Sequence, residues 1–481
     1  MASVEEIRAE RIKKLNTLKE AGIDPFPAES NATMNNAAFL AAFAEGSAAT
    51  LVGRIMSMRH IGAIAFAQIF DGTARVQAVF HKETTADFAL AMETLEAGDF
   101  LEVSGSAMVT KTGAQSLGVT SWRMLAKSLQ AMPTEHFGIK DEDERYRKRY
   151  LDMLLDENVR NRVRRRSIFW NTIRSFLLAR DYTEVHTPIL ETKTGGAEAR
   201  PFITHHNALD IDVFLRISHE LWHKKIIAGG IPKVFEIGQV FRNEGMSHEH
   251  AQDYVHMELY EAFADARTGV PMIIDLYRAV ASATWGTMQF TINGHEVDLG
   301  ADWGKYDYNE LMQEKFGFDP RTVTLDVVKA KLDAEHIAYD SSLDVGRGVD
   351  TLWKVIRKTL GGPAILTGMP VYLEPLAKKN AADPRVVDRF QIILGGSEVG
   401  KAFNELNDPI DQRTRFEHQQ SLRDKGDDEA QMADWEYVEA MEYGMPPMFG
   451  FGVSERLFAF LEGVSIREGQ IFPLMRPKQN E

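Results

Sequence analysis

The spacing of hydrophobic and polar positions changes along the chain, and each change predicts a different kind of element. Near the N-terminus, apolar residues from Val4 to Leu18 recur at helical spacing with basic residues between them, which predicts a surface helix. The glycine and prolines of GIDPFP end that helix. From Leu51 to about Leu129, short and partly alternating runs such as LVGRIMSMR are separated by turn sequences such as DGTA. This region predicts a small antiparallel β-barrel, either an oligonucleotide-binding (OB) barrel or a purely structural module.

The longer second part of the chain mixes helical and strand patterns. A charged segment, KDEDERYRKRYLDMLL, contains no glycine or proline and predicts a helical linker. RSIFWNTIRSFLLAR then predicts an amphipathic helix, followed by a short strand that ends at Pro188. KVFEIGQVFRNEG and YVHMELYEAFAD predict two strands joined by a loop. We therefore predict an α+β protein with domains at residues 1–145 and 146–481, the second carrying a helical insertion near 291–365.

Composition limits the possible classes of protein. The 481 residues are 44% hydrophobic and 26% charged, which is typical of globular chains, and no apolar run approaches the roughly twenty residues of a membrane span. The charged N-terminus does not resemble a signal peptide, so we expect a cytoplasmic protein. Zero cysteines exclude disulfides, thiolate zinc sites and cysteine nucleophiles. A net charge of −15 argues against sequence-independent binding of nucleic acid over the whole surface.

The segment GGSEVGKAFNELND has the glycine and lysine spacing of a phosphate-binding P-loop. A P-loop needs Ser or Thr after the lysine to hold magnesium, whereas this chain has Ala402. Glu398 would also place a carboxylate among backbone N–H groups that should face phosphate. These residues argue against a P-loop and point to a chemistry that uses the carboxylates of Glu398 and Glu405.

Two predicted strands carry polar residues spaced two apart, which places their side chains on the same strand face. Arg242 and Glu244 form one such pair, and Glu258 and Tyr260 form the other. Arginine offers a planar fork that matches phosphate or carboxylate oxygens. A structural ion pair is the simpler explanation of any single Arg/Glu pair, so the pairs alone do not establish a site.

Several motifs in this order make the chain resemble the class II aminoacyl-tRNA synthetases. TEVHTPIL looks like motif 1 with Pro188, FRNEG with MELYEAFAD looks like motif 2, and MFGFGVSERL looks like motif 3 with Arg456. GGAEARPFITHHNALD and AFNELNDPIDQ narrow the likeness to the lysyl-tRNA synthetase family. The resemblance implies an OB barrel that binds the anticodon and an antiparallel catalytic sheet flanked by helices. It also implies a homodimer with motif 1 at its interface, with ATP, L-lysine and tRNA(Lys) as substrates and Mg²⁺ as cofactor.

The resemblance assigns roles to individual residues. Catalysis falls to Arg242 at the α-phosphate of ATP and to Arg456 at the γ-phosphate, because phosphoryl chemistry depends on positioning and charge neutralisation. Tyr254 would stack on adenine. The remaining assignments are Glu244 and His250 for ATP; Glu398 and Gln391 for metal; Glu258, Tyr260 and Glu405 for the lysine side chain; Glu220 and Gly196 for the α-amino group; Lys401 and Phe403 for the rest of the lysine pocket; and Arg59, Phe66 and Gln77 for the anticodon.

Phe66 could equally be a core residue and Gln77 a solvated strand residue, so the anticodon assignment has a structural alternative. The sequence also departs from the family pattern. A metal carboxylate is replaced by Gln391, a pocket asparagine by Lys401 and a motif 2 loop arginine by Glu249. Two further departures are Ala251 in the motif 2 loop and Ser121 in the barrel.

Three competing functions remain open at this point. A synthetase for aspartate or asparagine would need a cation in the side-chain pocket, and Lys401 is the feature that favours it. A paralogue that modifies a protein would resemble the catalytic domain alone, which the predicted barrel argues against. A non-catalytic RNA-binding protein would not need the arginines that face ATP.

Overall fold

The chain divides into two compact units, residues 1–139 and 140–481. Within the part of the chain that the computed structural model describes, no helix is both long and apolar enough to cross a bilayer. The structure describes residues 3–133, 138–245, 247–339, 343–424 and 430–478.

The first unit is built around the closed five-stranded barrel that the alternating pattern predicts. On the second strand Ala65, Ala67 and Ile69 point into the core, while the residues between them face outward, as the two-residue period of a strand requires. The N-terminal helix begins with a capping box between Ser3 and Glu6. The elements are α1 (Val4–Glu20), α2 (Asn36–Ala41), β1 (Ala48–Ile61), β2 (Ile64–Phe70), β3 (Arg75–His81), α3 (Phe88–Thr94), β4 (Phe100–Val109) and β5 (Gln115–Ala126), hydrogen-bonded in the order β1-β2-β3-β5-β4.

The second unit contains an eight-stranded, mainly antiparallel sheet and a separate three-stranded sheet. The large sheet runs in the order β14-β15-β16-β17-β18-β11-β10-β6, and the small one in the order β7-β9-β8. The strands are β6 (Thr183–Glu184), β7 (Leu190–Glu191), β8 (Ile203–His206), β9 (Ile211–Leu215), β10 (Lys233–Phe241), β11 (Asp253–Ala262), β12 (Gln289–Ile292), β13 (His295–Asp298), β14 (Gly304–Asp307), β15 (Ala364–Thr367), β16 (Arg389–Leu394), β17 (Ser397–Asn404) and β18 (Met448–Ser454).

Two long helices pack against one face of the large sheet, and other helices form a second core with Val234 and Tyr260. Met257, Leu259 and Phe451 point from the strands into this core, where they meet apolar residues of two long helices such as Phe169 and Tyr277. The helices are α4 (Glu142–Arg147), α5 (Arg149–Leu155), α6 (Glu157–Leu178), α7 (Glu220–Ala228), α8 (Ala266–Trp285), α9 (Tyr308–Phe316), α10 (Leu325–Ala334), α11 (Val345–Arg357), α12 (Pro409–Asp424), α13 (Trp435–Glu442), α14 (Arg456–Glu462) and α15 (Ile466–Gly469).

The stretch from 291 to 365, which the sequence predicts to be helical, contains strands as well as helices. Helices α9, α10 and α11 match the prediction, whereas β13, β14 and β15 do not. Strands β14 and β15 pair in parallel at one edge of the large sheet. Each of these strands has only four residues, which is too short for periodicity to distinguish a strand from a turn of helix.

Candidate active site

Strand register gathers the predicted site residues on the sheet face opposite the helical core. Glu258 and Lys401 both pair with Gly452, while Tyr260 and Phe403 both pair with Gly450. Directly paired residues share a sheet face, so these side chains form two adjacent rows. They line a cavity of about 1190 Å³. The predicted residues that line it are Gly196, Glu220, Arg242, Tyr254, Glu258, Tyr260, Gln391, Glu398, Lys401, Phe403, Glu405 and Arg456.

Glu258 lies at the acidic end of the cavity and is fixed by three donors. Its Oε1 accepts hydrogen bonds from Ser218 Oγ (2.7 Å) and the backbone N–H of His219 (3.1 Å), and its Oε2 accepts one from the Tyr260 hydroxyl (2.8 Å). Burial by itself would raise the pKa of Glu258, but hydrogen bonding to His219 and the nearby imidazoles hold that pKa well below its usual range. Glu258 is therefore an ionised, oriented carboxylate that a cationic ligand can approach.

Glu220 and Glu405 lie near Glu258 and share the ammonium group of Lys224, which sequence reasoning missed. Lys224 Nζ lies 2.6 Å from Glu220 Oε1 and also forms an ion pair with Glu405 Oε2. All three side chains are buried. The sequence contains one signal for this arrangement, because Glu220 and Lys224 lie four residues apart on one helix. Glu405 was already among the predicted site residues.

Two glycines make room at this end of the cavity. A Cβ added at Gly450 would lie 1.9 Å from Glu405 Oε1, and one added at Gly196 would lie 2.7 Å from Ser218 Oγ. Gly196 also has a positive φ of 84°, a conformation that favours glycine. Its N–H donates a 3.4 Å hydrogen bond to Gln431 Oε1, so its carbonyl is the group that could accept from a ligand.

The opposite end of the cavity is basic and aromatic. The Arg242 guanidinium donates to the carbonyl of Ile217 (3.4 Å) and lies 5.7 Å from the centre of the Tyr254 ring. Arg456 donates to the backbone carbonyls of Glu249 (3.1 Å) and Glu398 (3.4 Å). Backbone carbonyls carry no net charge, so these hydrogen bonds orient both guanidinium groups without neutralising them. Two fixed cations beside a flat aromatic ring suit a nucleotide triphosphate.

The loop after β10 holds the two ATP candidates that do not line the cavity, Glu244 and His250. The backbone carbonyl of Glu244 accepts a hydrogen bond from Gln252 Nε2 (3.2 Å), and His250 Nδ1 lies 2.7 Å from Ser247 Oγ. Burial and the nearby positive charge of Arg456 lower the pKa of His250, so its imidazole is neutral at pH 7.

Glu249, which stands where the family has an arginine, faces a cation from a distant helix. The guanidinium of Arg357, at the end of α11, lies 4.0 Å from the Glu249 carboxylate. Burial would raise the pKa of Glu398, yet the charges of Arg389 and then of Arg357 help to hold it below its usual range, so Arg357 acts on the ATP end of the site. Sequence reasoning missed Arg357, because it lies in a stretch without a recognisable motif.

Lys401 pairs with a carboxylate outside the predicted lysine pocket. Its Nζ lies 3.3 Å from Glu374 Oε2, and that carboxylate is also held by Arg389. Arg389 donates in addition to Gln391 Oε1, and Gln391 Nε2 donates to the carbonyl of Gly400 (2.8 Å). Lys401 therefore pairs with Glu374, which is not one of the predicted site residues.

The fit of Mg²⁺ depends on which carboxylate oxygens face the cavity. Glu398 Oε1 accepts a 2.7 Å hydrogen bond from Trp353 Nε1, and its carboxylate lines the cavity. Gln391 was predicted as a second ligand, but its oxygen already accepts from the Arg389 guanidinium, which would repel a metal ion. Among the described residues no group of three metal-binding side chains occurs. Magnesium commonly binds through one or two carboxylates plus substrate phosphates, so Glu398 fits this mode and Gln391 does not.

A histidine cluster lies behind Glu258, and sequence reasoning missed it as well. The rings of His219 and His223 stack with centroids 5.7 Å apart, and His256 lies 6.2 Å from His219. Burial lowers the pKa of His256 to about 3, so its ring is neutral. Glu236, the register partner of Glu258, is held by Arg216 at 2.6 Å. The His219 ring lies between the two carboxylates, with Nε2 3.7 Å from Glu236 Oε1 and Nδ1 3.6 Å from Glu258 Oε1.

In the barrel, the three anticodon candidates share one outer face. Arg59 pairs directly with Phe66 across β1 and β2, and Gln77 follows on β3. Phe66 and Gln77 are half-buried, and Arg59 is exposed. Gln77 Oε1 accepts a 3.0 Å hydrogen bond from Ser116 Oγ, which fixes its amide. The interpretation of Phe66 as a core residue is wrong, because its side chain faces away from the interior residues Ala65 and Ala67.

Comparison with protein families agrees with both units. Residues 141–476 match the family described as tRNA synthetases class II (D, K and N). Residues 49–127 match the OB-fold nucleic acid binding domain. The predicted α+β fold, an OB barrel followed by a class II catalytic domain, is therefore confirmed, and the structural-module alternative for the barrel is wrong.

Curated relatives extend the similarity over nearly the whole chain. A protein named Lysine--tRNA ligase from Fervidobacterium nodosum is 39% identical, over 99% of this chain and 95% of its own length. Proteins of the same name from Thermotoga maritima (36% identical, 99% of this chain and 97% of the relative) and Roseiflexus castenholzii (38% identical, 98% and 99%) are similarly close. This chain belongs to the class II tRNA synthetases of the D, K and N group.

Proposed function

We propose that this protein activates L-lysine with ATP and transfers the lysyl group to tRNA(Lys). One observation supports this proposal most directly. A single cavity has three carboxylates, Glu220, Glu258 and Glu405, at one end and two arginines, Arg242 and Arg456, at the other. The two ammonium groups of a diamino acid complement the carboxylates, and the negative charges of a triphosphate complement the arginines.

In the proposed first step, the lysine carboxylate attacks the α-phosphorus of ATP. A phosphorus–oxygen bond to lysine forms, and the bond to pyrophosphate breaks. Arg242 neutralises charge on the α-phosphate, and Arg456 holds the departing end of the triphosphate. Tyr254 provides a flat surface beside Arg242 for the adenine ring. The two arginines are held in place before the reaction, so little reorganisation is needed in the transition state.

In the proposed second step, a terminal ribose hydroxyl of tRNA attacks the lysyl carbonyl and AMP leaves. The unit of residues 140–481 would carry out both steps, while the barrel unit would read the anticodon. Phe66 would stack on a base and Gln77 would hydrogen-bond to one. Such work on tRNA and ATP is expected in the cytoplasm.

Side-chain selection would depend on Glu258, Tyr260 and Glu405. A cation among these groups is compensated, whereas a neutral side chain leaves buried carboxylates unpaired at a cost of about 3–5 kcal/mol. Glu220 and the Gly196 carbonyl would receive the α-amino group. Phe403 would pack against the aliphatic part of lysine, and the partly exposed Lys401 would face the substrate carboxylate.

Magnesium, when bound, would neutralise part of the phosphate charge. Glu398 is the residue of this chain proposed to hold it, together with the phosphates of ATP. Burial raises the pKa of Glu398, but the charge of Arg389, together with a hydrogen bond from Trp353 and the charge of Arg357, helps to bring it below its usual range, so the carboxylate is available in its charged form.

We also propose a homodimer formed through the small sheet and motif 1. Ile189 and Leu190 of motif 1 are exposed, as are Ile203, Leu209 and Ile211 around β8 and β9. Apolar side chains grouped in this way indicate an interface. Light scattering should give about twice the chain mass of 54.2 kDa; a monomeric mass at micromolar concentration would contradict the dimer.

Pyrophosphate exchange with each amino acid in turn tests the function. We expect ATP to incorporate labelled pyrophosphate in the presence of lysine and not of aspartate or asparagine. Exchange with aspartate and not with lysine would support the alternative that the protein is an aspartate synthetase, which Lys401 favours in the sequence. The 3.3 Å pair between Lys401 and Glu374 weakens that alternative, because Lys401 is already partly neutralised. Exchange with no amino acid would leave a non-catalytic RNA-binding protein as the better explanation.

A further inference from the structure

The ammonium group of Lys224 lies buried at the acidic end of the cavity and has no role in the steps above. Its Nζ is 2.6 Å from Glu220 Oε1 and pairs with Glu405 Oε2. The rings of Tyr260 and Phe403 lie 5.9 and 5.7 Å from it. Because Lys224 is fully buried, the two carboxylates and these rings must compensate its charge in place of water.

The ion pair leaves the two oxygens of Glu405 in different situations. Oε2 lies against Lys224 in the ion pair, and both oxygens are buried without a hydrogen bond from another described residue. Oε1 lies beside Gly450, in the wall of the cavity. Lys224 thus holds one oxygen of Glu405 and directs the other toward the space where a ligand would bind.

With Lys224 present, the charges in the pocket balance when one lysine is bound. Glu220, Glu258 and Glu405 carry up to three negative charges, and Lys224 supplies one positive charge. Free lysine brings two ammonium groups, which makes three cations for three carboxylates. A pocket without Lys224 would keep one buried carboxylate uncompensated even with lysine bound, and an uncompensated buried charge is strongly unfavourable.

We propose that Lys224 is a positioning and specificity-determining residue, which holds Glu220 and Glu405 so that the pocket matches the two positive charges of one lysine. The inference rests on the proposed function, because it takes lysine as the substrate. It predicts that Lys224 acts on lysine binding and not on ATP binding.

In the pocket without ligand, Glu220 and Glu405 share the single ammonium group of Lys224, which favours a proton on one of these two carboxylates. Burial and mutual repulsion raise the pKa of Glu405 well above its usual range and raise that of Glu220 as well. We therefore expect the pair to retain one proton at pH 7, which the substrate ammonium displaces. The titratable and charged groups around Lys224 are Glu220 and His223 on α7, Glu258 and Tyr260 on β11, Lys401 and Glu405 on and just after β17, and Tyr437 on α13.

The sign of the pH effect follows from this proton. A carboxyl with a raised pKa stays protonated at lower pH, so lysine affinity should rise as pH rises. Removal of Lys224 leaves both carboxylates without a cation, so the empty pocket should retain a second proton. With lysine bound, two substrate ammonium groups face three carboxylates in that variant, so one proton stays in the pocket and lysine binds more weakly.

The test compares K224M with K225M as a matched control. Lys225 is the next residue on the same helix, but its Nζ pairs with Asp434 at 3.1 Å, away from Glu405. The lysine KM and the ATP KM are measured by pyrophosphate exchange from pH 6 to 8. For K224M we expect a lysine KM about 100-fold higher at pH 7 and an ATP KM within about threefold of wild type. K225M should follow wild type.

Chemical rescue provides a second, independent readout. K224A removes a propylammonium-sized part of the side chain, so added propylammonium should lower the lysine KM of K224A. In wild type and K225M the same amine should act as a competitor or have no effect. A folded K224M protein with a lysine KM within threefold of wild type, or rescue of all proteins alike, would overturn the proposal.

A measurement on the unmodified protein covers the case in which both Lys224 variants fail to fold. Calorimetry of lysine binding in buffers of different ionisation enthalpy should show release of about one proton at pH 7. Lysine binding without proton release would overturn the inference while leaving the proposed function intact. Wild type that shows no exchange with lysine would overturn both.

Discussion

Replacement of Gly450 by alanine should separate lysine binding from ATP binding. Gly450 lies in the middle of β18, opposite Tyr260 and Phe403. A Cβ built there lies 1.9 Å from Glu405 Oε1 and 2.6 Å from the Tyr260 ring. Real Cβ atoms essentially never approach closer than 3.0 Å, so Gly450→Ala must displace the carboxylate, the ring or both.

The size of the effect follows from the displacement. Glu405 Oε1 must move by about 1.5 Å to reach an ordinary contact of 3.4 Å. That movement withdraws the open oxygen from the site of the substrate ammonium, and a broken buried pair costs about 3–5 kcal/mol. Since about 1.4 kcal/mol corresponds to a factor of ten, the lysine KM should rise at least about 100-fold. The ATP end is built from other residues, so the ATP KM should change less than about threefold.

Pyrophosphate exchange at saturating ATP gives the lysine KM, and at saturating lysine it gives the ATP KM. Gly469→Ala is the matched control, because a Cβ there would meet Ala459 and Phe458 only at ordinary distances of 3.5 Å or more. Thermal melting shows whether either variant is unfolded. A folded Gly450→Ala protein with a lysine KM within threefold of wild type would refute the placement of Glu405 at the substrate ammonium.

Three further predictions concern other parts of the molecule. Arg456→Ala should lower the kcat of lysine-dependent exchange by about 100-fold or more, because a fixed cation at the phosphates is lost, while calorimetry should show little change in lysine affinity; a kcat within threefold would contradict its role. Phe66→Ala should raise the tRNA KM of aminoacylation by about tenfold through lost base stacking, and exchange without tRNA should stay unchanged; equal losses in both assays would instead indicate a folding defect. Burial raises the pKa of Glu191 to about 8 despite a 2.6 Å hydrogen bond from Trp222 Nε1. Between the ordinary pKa of a glutamate and pH 8, Glu191 is therefore protonated in the folded protein and ionised in the unfolded chain. The free energy of unfolding of Glu191→Gln should therefore increase relative to wild type as pH rises from 5 to 8, by up to about 1.4 kcal/mol per pH unit. A difference in melting temperature between the two proteins that stays constant over this range would show that Glu191 does not hold this proton.

Local patterns predicted the elements that depend on local periodicity. The barrel strands alternate in burial as their sequences do, and α6 follows its helical apolar spacing. The two-residue spacing of Glu258 and Tyr260 placed them on one face, and the Tyr260 hydroxyl donates directly to Glu258. The four-residue strands β14 and β15 could not be predicted, because their place in the sheet depends on partners far away in the chain.

The amino-acid sequence by itself predicted the fold class, the motif order and twelve of the residues that line the cavity, partly through periodicity and partly through motifs that resemble those of a known family. Tertiary structure alone decided how charges combine. Lys224 meets Glu405, which lies 181 positions later in the chain, Arg357 reaches Glu249, and Arg389 donates to the oxygen of Gln391. Coulombic and hydrogen-bond energies depend on distances in space and on burial, and neither quantity can be obtained from spacing along the chain.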